Sequence, residues 1–167
     1  MKNKLKIFRG CISRLKVDAI ICTSTTELDM DNELTKKLID AGGEDLYIEF
    51  LQLSSLEKGE ATITEAGKLP AKHLVHAVIN EKGEYALEED LMNGINNSLK
   101  TIQEKGLKSI AIPLIGEING IPIKRAIELI LTEIKKYFIQ EIDFDVIIFV
   151  VDSDIVYNAL EEAIKHL

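Results

Sequence analysis

A chain of 167 residues that is 46% apolar can bury a continuous core without disulfides or metals. Its 28 acidic residues outnumber the 20 basic ones, and the formal net charge of −8 excludes bulk nucleic acid as a partner, because phosphates are repelled at long range. No apolar run approaches the roughly 20 residues that cross a bilayer. The stretch after Lys2 and Lys4 is also too short for a signal peptide, so a cytoplasmic location without membrane contact is expected.

Along the chain, residues 5–8 read as a strand near a sheet edge. Residues 17–22 are almost entirely apolar and β-branched, the pattern of a strand covered on both faces. A short helix carries Leu34, Leu38 and Ala41, with Asp31 placed to cap it and Gly42-Gly43 to end it. A second helix follows from about 44 to 53, and residues 61–64 alternate as another edge strand. Residues 74–79, 109–115 and 146–151 repeat the buried-strand pattern. Between and after them run three amphipathic stripes: Leu87, Leu91, Ile95, Leu99, Ile102; then Ile123, Ile127, Ile130, Ile134, Phe138; then Val156, Leu160, Ala163, Leu167. Pro122 sits where a first helical turn tolerates its missing N–H. With no repeat, linker or low-complexity tract, residues 1–167 are expected to fold as one domain. The order β-β-α-α-β-β-α-β-α-β-α predicts an α/β fold, a three-layer α/β/α sandwich around a mixed, largely parallel sheet.

Ligands of open α/β sheets collect beyond the carboxyl ends of the strands. Three loops qualify: Thr23-Ser24-Thr25, residues 116–120, and Asp152-Ser153-Asp154. In the second, Gly116 and Gly120 bracket a segment entering a helix, where free N–H groups can hold a phosphate. Lys124 and Arg125 follow in that helix's first turn, and Arg125 reads as a solvated surface charge. Hydroxyls of the first loop serve a sugar or phosphate, or act as ordinary turn and cap residues. Asp29, Asp31 and Glu33 fit no calcium loop. His73 and His76 point to opposite faces of one strand and cannot share a metal, and His76 reads as a satisfied, half-buried residue. Cys11 and Cys22 are too few for a disulfide framework and read as buried thiols. No metal site, catalytic residue or cofactor is assigned.

Taken together, several segments resemble the macro domain family. They are Gly10-Cys11-Ile12-Ser13 with Val17-Asp18-Ala19-Ile20-Ile21, then Lys58-Gly59-Glu60-Ala61-Thr62-Ile63-Thr64, Leu69-Pro70-Ala71-Lys72 and Val75-His76-Ala77-Val78. Residues 106–113 are similar to the family's strand before its phosphate loop, and Gly120-Ile121-Pro122 to that loop's end. The resemblance implies a module that binds ADP-ribose and in some members hydrolyses ADP-ribosyl or acetyl-ADP-ribose esters.

Several residues depart from the family pattern. The aspartate that bonds the adenine amino group is Cys11 here, and the segment holding the ribose asparagines corresponds to Cys22-Thr23-Ser24-Thr25. Met30-Asp31-Asn32-Glu33 replaces a glycine-rich run, the second loop is one residue shorter, and Asp152 stands where relatives stack an aromatic ring. Three functions follow. One is a module binding ADP-ribose or a related nucleotide diphosphate through Cys11, Ile12, Ser24, Thr25, Gly116, Glu117, Ile118, Asn119, Gly120 and Asp152. Another is a diverged domain that has lost that ligand and acts through a protein partner, not identifiable from sequence, or another small ligand. The third is an ADP-ribosyl hydrolase. The first predicts that Cys11, Thr25, Asn119 and Asp152 converge on one hollow.

Overall fold

The computed structural model describes residues 1–167, and its strands and helices follow the predicted order. They are β1 (Leu5–Arg9), β2 (Ala19–Thr25), α1 (Glu33–Gly42), α2 (Glu44–Leu51), β3 (Ala61–Glu65), β4 (His73–Asn80), α3 (Glu88–Glu104), β5 (Ser109–Pro113), α4 (Ile123–Ile139), β6 (Val146–Val151) and α5 (Asp154–Lys165). The sheet order is β1-β6-β5-β2-β4-β3, with every pairing parallel except β3 against β4. The two strands that read as edges are the two edges. No helix is long and apolar enough to cross a membrane.

Strand alternation sorts the buried side chains into two layers. Ala19, Ile21, Val75, Ala77, Ile110, Ile112, Ile147 and Phe149 pack under α3, α4 and α5. Ile20, Cys22, Leu74, Val78, Ala111 and Val150 pack under α1 and α2. Gly94 lets α3 lie close on β4, since a Cβ there would come within 3.2 Å of Ile79 and 3.4 Å of Ala77.

Two local expectations are corrected. The cap of α1 is Asn32, whose side chain accepts from the N–H groups of Leu34 and Thr35; Asp31 stands one residue too early to reach them. His76 is fully buried, not half-buried. Its Nε2 lies 3.1 Å from Thr64 Oγ1, its ring packs on Phe50 with centroids 5.2 Å apart, and its Nδ1 has no partner. Burial pulls its pKa down to about 4.

At the amino end of the sheet, Asp18 ties β2 to β5. Its Oδ2 accepts from the N–H groups of Lys108 (2.8 Å) and Ser109 (3.1 Å), and Lys72 Nζ lies 3.1 Å from Oδ1. The Lys108 N–H above all holds this carboxyl at about 2. Asp18→Ala would leave both N–H groups without an acceptor, and a loss of about 2 kcal/mol is expected. A melting point lowered by roughly 4–8 °C at neutral pH would show it.

Candidate functional site

The carboxyl ends of β2, β5 and β6 open into a cleft of about 440 Å³. Its apolar wall includes Ile21 from β2, Leu34 from α1, Leu91 from α3, and Leu114, Ile115 and Ile118 from the loop after β5. Thr23, Asn32, Gly116 and Asn119 add polar surface, and Glu33, Lys37, Glu117 and Asp152 add charge. A smaller hollow of about 200 Å³ adjoins it and shares Thr23, Asn32 and Asn119. This hollow has no hydrophobic residue in its lining, which includes Ser24, Thr25, Asp29, Asn80 and Glu84.

The loop after β5 is shaped by a tight turn. Ile118 and Ile121 exchange both main-chain hydrogen bonds at 2.9 Å, and the two residues between them, Asn119 and Gly120, have positive φ of 44° and 92°. Asn-Gly is the pair this type I′ turn favours. Gly120 is therefore a turn residue outside both hollows, and a Cβ there would lie 2.5 Å from a ring carbon of Tyr85. The turn occupies the N–H groups of Ile118 and Ile121. Those of Ile115, Gly116 and Glu117 find no acceptor within the chain.

Side chains around the smaller hollow hold one another. Asn119 Nδ2 donates to Asn80 Oδ1 at 2.8 Å, Asn32 Nδ2 to Thr23 Oγ1 at 3.2 Å, and Thr25 Oγ1 to Asp29 Oδ1 at 3.2 Å. Ser24 Oγ and Asp29 Oδ2 are buried without a hydrogen-bond partner. The β2–β4 register shifts between Ser24 and Thr25, so that Thr25 pairs with Asn80 and not Ile79. This bulge is what turns Asn80 toward the hollow.

Of the residues singled out in the sequence, Gly116, Glu117, Ile118, Asn119 and Asp152 line the cleft, and Ser24, Thr25 and Asn119 line the hollow. Ile12 lies outside both, sunk into the core of the α1–α2 side. Cys11 is outside both as well. It is exposed, with its Sγ turned to Ser13 Oγ at 2.9 Å. The four residues expected to converge thus fall into two overlapping pairs, Thr25 with Asn119 and Asn119 with Asp152, and Cys11 stands apart. Of the other loop residues, Ser153 caps α5 and Asp154 pairs with Arg9. Arg125 is exposed, as its reading as a solvated surface charge requires, and it pairs with Glu88 at 2.8 Å and with Glu128 at 2.9 Å.

Sequence reasoning missed Leu34 and Lys37 of α1 and Asn80 of β4 as site residues, and reached Glu33 only as part of the run that replaces the family's glycines. Glu33 and Lys37 are four residues apart and share a helical face, a periodicity legible in the sequence.

The two thiols differ as their surroundings dictate. Hydrogen bonds from Ser13 lower the pKa of Cys11, whereas burial pushes Cys22 up to about 12. Brief iodoacetamide treatment of the native chain at pH 8 should add one label, at Cys11. Mass spectrometry showing Cys22 labelled at a similar rate would contradict the burial.

Comparison with known proteins agrees with this fold. The Macro domain profile matches residues 22–130. Macro domain-containing protein TTE0995 of Caldanaerobacter subterraneus subsp. tengcongensis is 30% identical over 174 residues, covering 100% of this chain and 99% of that protein. ADP-ribose glycohydrolase MACROD2 of Mus musculus is 34% identical over 154 residues, covering 86% of this chain, and the chain spans only 32% of that longer protein. The Oceanobacillus iheyensis macrodomain, solved with ADP, superposes with a TM-score of 0.85 at 26% identity, covering 97% of this chain and 90% of that one. With the profile running from within β2 to within α4 and a relative matched along its full length, the chain belongs to the macro domain family.

Proposed function

We propose that the cleft binds ADP-ribose or a related nucleotide diphosphate, held mainly by main-chain donors. The observation that carries this reading is the row of N–H groups at Ile115, Gly116 and Glu117, which have no acceptor within the chain and belong to residues of the cleft wall. Such donors act on a diphosphate over a few ångströms and do not depend on net charge. The volume suits a nucleotide-sized ligand. Solved Oceanobacillus iheyensis macrodomains, one with ADP and a mutant form with ADPR, support it by likeness.

Calorimetric titration of the chain with ADP-ribose tests the proposal, and a saturable, roughly micromolar response is expected. Silence across the millimolar range would sink it. The second reading, a diverged domain that takes another ligand, is favoured by the carboxylates. Glu33, Glu117 and Asp152 line the cleft against the one cation Lys37. For hydrolysis, Thr25 and Asn32 already hold protein partners where relatives orient a water. If ADP-ribose binds, release of ADP-ribose from modified protein decides between binder and hydrolase.

A further inference from the structure

Resting on that reading, we propose that the polar hollow receives the far end of the ligand and selects a cation there. The substrate class is a nucleotide diphosphate whose terminal sugar carries a pyridinium or guanidinium group.

The two chambers differ in polarity. An adenine-type base is better desolvated against the half-apolar wall of the cleft, which leaves the polar end of the ligand for a hollow with no hydrophobic lining. Charge then decides what that end is. Asp29, Asp31 and Glu84 line the hollow, and the one ion pair these carboxylates make is Lys82 Nζ with Asp29 Oδ2 at 3.6 Å. Asp29 Oδ2 is buried and accepts no hydrogen bond. Ser24, which is only 4% exposed, lines the same hollow with an unpartnered Oγ. A buried hydroxyl without a partner, and a buried carboxylate oxygen whose one cation, Lys82, stands at 3.6 Å and donates no hydrogen bond to it, favour an incoming donor that carries positive charge.

Oxidised and reduced nicotinamide adenine dinucleotide make a matched pair, since they differ in the charge of one ring. In calorimetric titrations of the whole chain at low salt, the oxidised form is expected to bind about fivefold tighter than the reduced form. The advantage should close in an Asp29→Asn, Glu84→Gln variant whose melting curve shows it folded. If that double variant does not fold, Glu84→Gln alone, at an exposed position of the same hollow, should narrow the advantage. An ADP-ribosyl-agmatine probe that outbinds ADP-ribose while the dinucleotides do not differ assigns the cation to guanidinium. If ADP-ribose saturates but neither cationic probe exceeds its neutral counterpart, charge selection is wrong and nucleotide binding stands. If no probe binds, both fall.

Discussion

A Cys11→Asp, Asp152→Phe double variant is expected to bind ADP-ribose roughly ten- to a hundredfold tighter than the unmodified chain. Asp152 is exposed, follows β6 directly and lines the cleft, so a ring placed there meets the ligand without disturbing the core. In the resemblance it stands where relatives stack an aromatic on adenine. Stacking is worth about 1–3 kcal/mol per base, and loss of the carboxylate also removes a like charge. Cys11 lies outside the cleft, at an exposed position within the field of Lys37 of the cleft wall, so a carboxylate placed there adds an acceptor for the adenine amino group only where the base extends beyond that wall. Calorimetry on the single variants separates the contributions. Asp152→Asn should recover only the repulsion, about twofold to fivefold. A folded Asp152→Phe variant with no gain would mean that the base does not lie beside residue 152.

The hydrogen bonds around the smaller hollow explain why main-chain donors carry the proposed site. Asn119 is committed to Asn80, Asn32 to Thr23 and Thr25 to Asp29, so these amides and hydroxyls are oriented by each other. Such a network is rigid, and a ligand that displaced one member would leave its partner unsatisfied. What stays available is the N–H row of residues 115–117, the Lys37 ammonium and the orphaned Ser24 hydroxyl.

The architecture was legible because burial leaves a simple mark. Strands covered on both faces read as apolar runs, and the two alternating segments took the edges. Boundaries were less legible where pairing does not depend on apolar side chains. β2 runs to Thr25 because the backbone of Thr23, Ser24 and Thr25 continues to pair with β4, and hydroxyl-bearing residues satisfy that ladder as well as valines do. β5 ends at Pro113 and not at 115, although Leu114 N–H still reaches Val150 O at 2.8 Å. At the site, the rule that ligand loops follow strand ends found the 116–120 loop and Asp152. It could not find Lys37 or Asn80, whose orientation depends on how α1 packs on β2 and on a bulge in the β2–β4 pairing. The resemblance alone puts Cys11 and Ile12 at the site, whereas the short helical turn at Ile12–Arg14 sends one side chain to solvent and the other into the core.

His76 should make the fold sensitive to mild acid. In the folded chain its pKa is about 4, because the ring is buried against Phe50 and, once charged, both of its nitrogens would be donors while only Nε2 has a partner, the Thr64 hydroxyl. In the unfolded chain the imidazole titrates near its ordinary value of about 6.5. Between these values the unfolded state binds a proton that the native state refuses. Stability attributable to His76 is therefore complete above about pH 6.5, falls as pH drops toward 4, and changes no further once the native ring also protonates. The window corresponds to about 3 kcal/mol, more than a hundredfold in the folding equilibrium. Urea unfolding of the unmodified chain and of His76→Leu at pH 7, 6, 5 and 4 isolates this contribution, since carboxylates titrating in the same range are common to both. The stability difference between the two proteins should shift by about 3 kcal/mol in favour of the leucine variant on going from pH 7 to pH 4. A difference that stays constant with pH would mean that the ring takes up its proton in the folded state, and that Nδ1 reaches water through an opening of the β3–β4 edge.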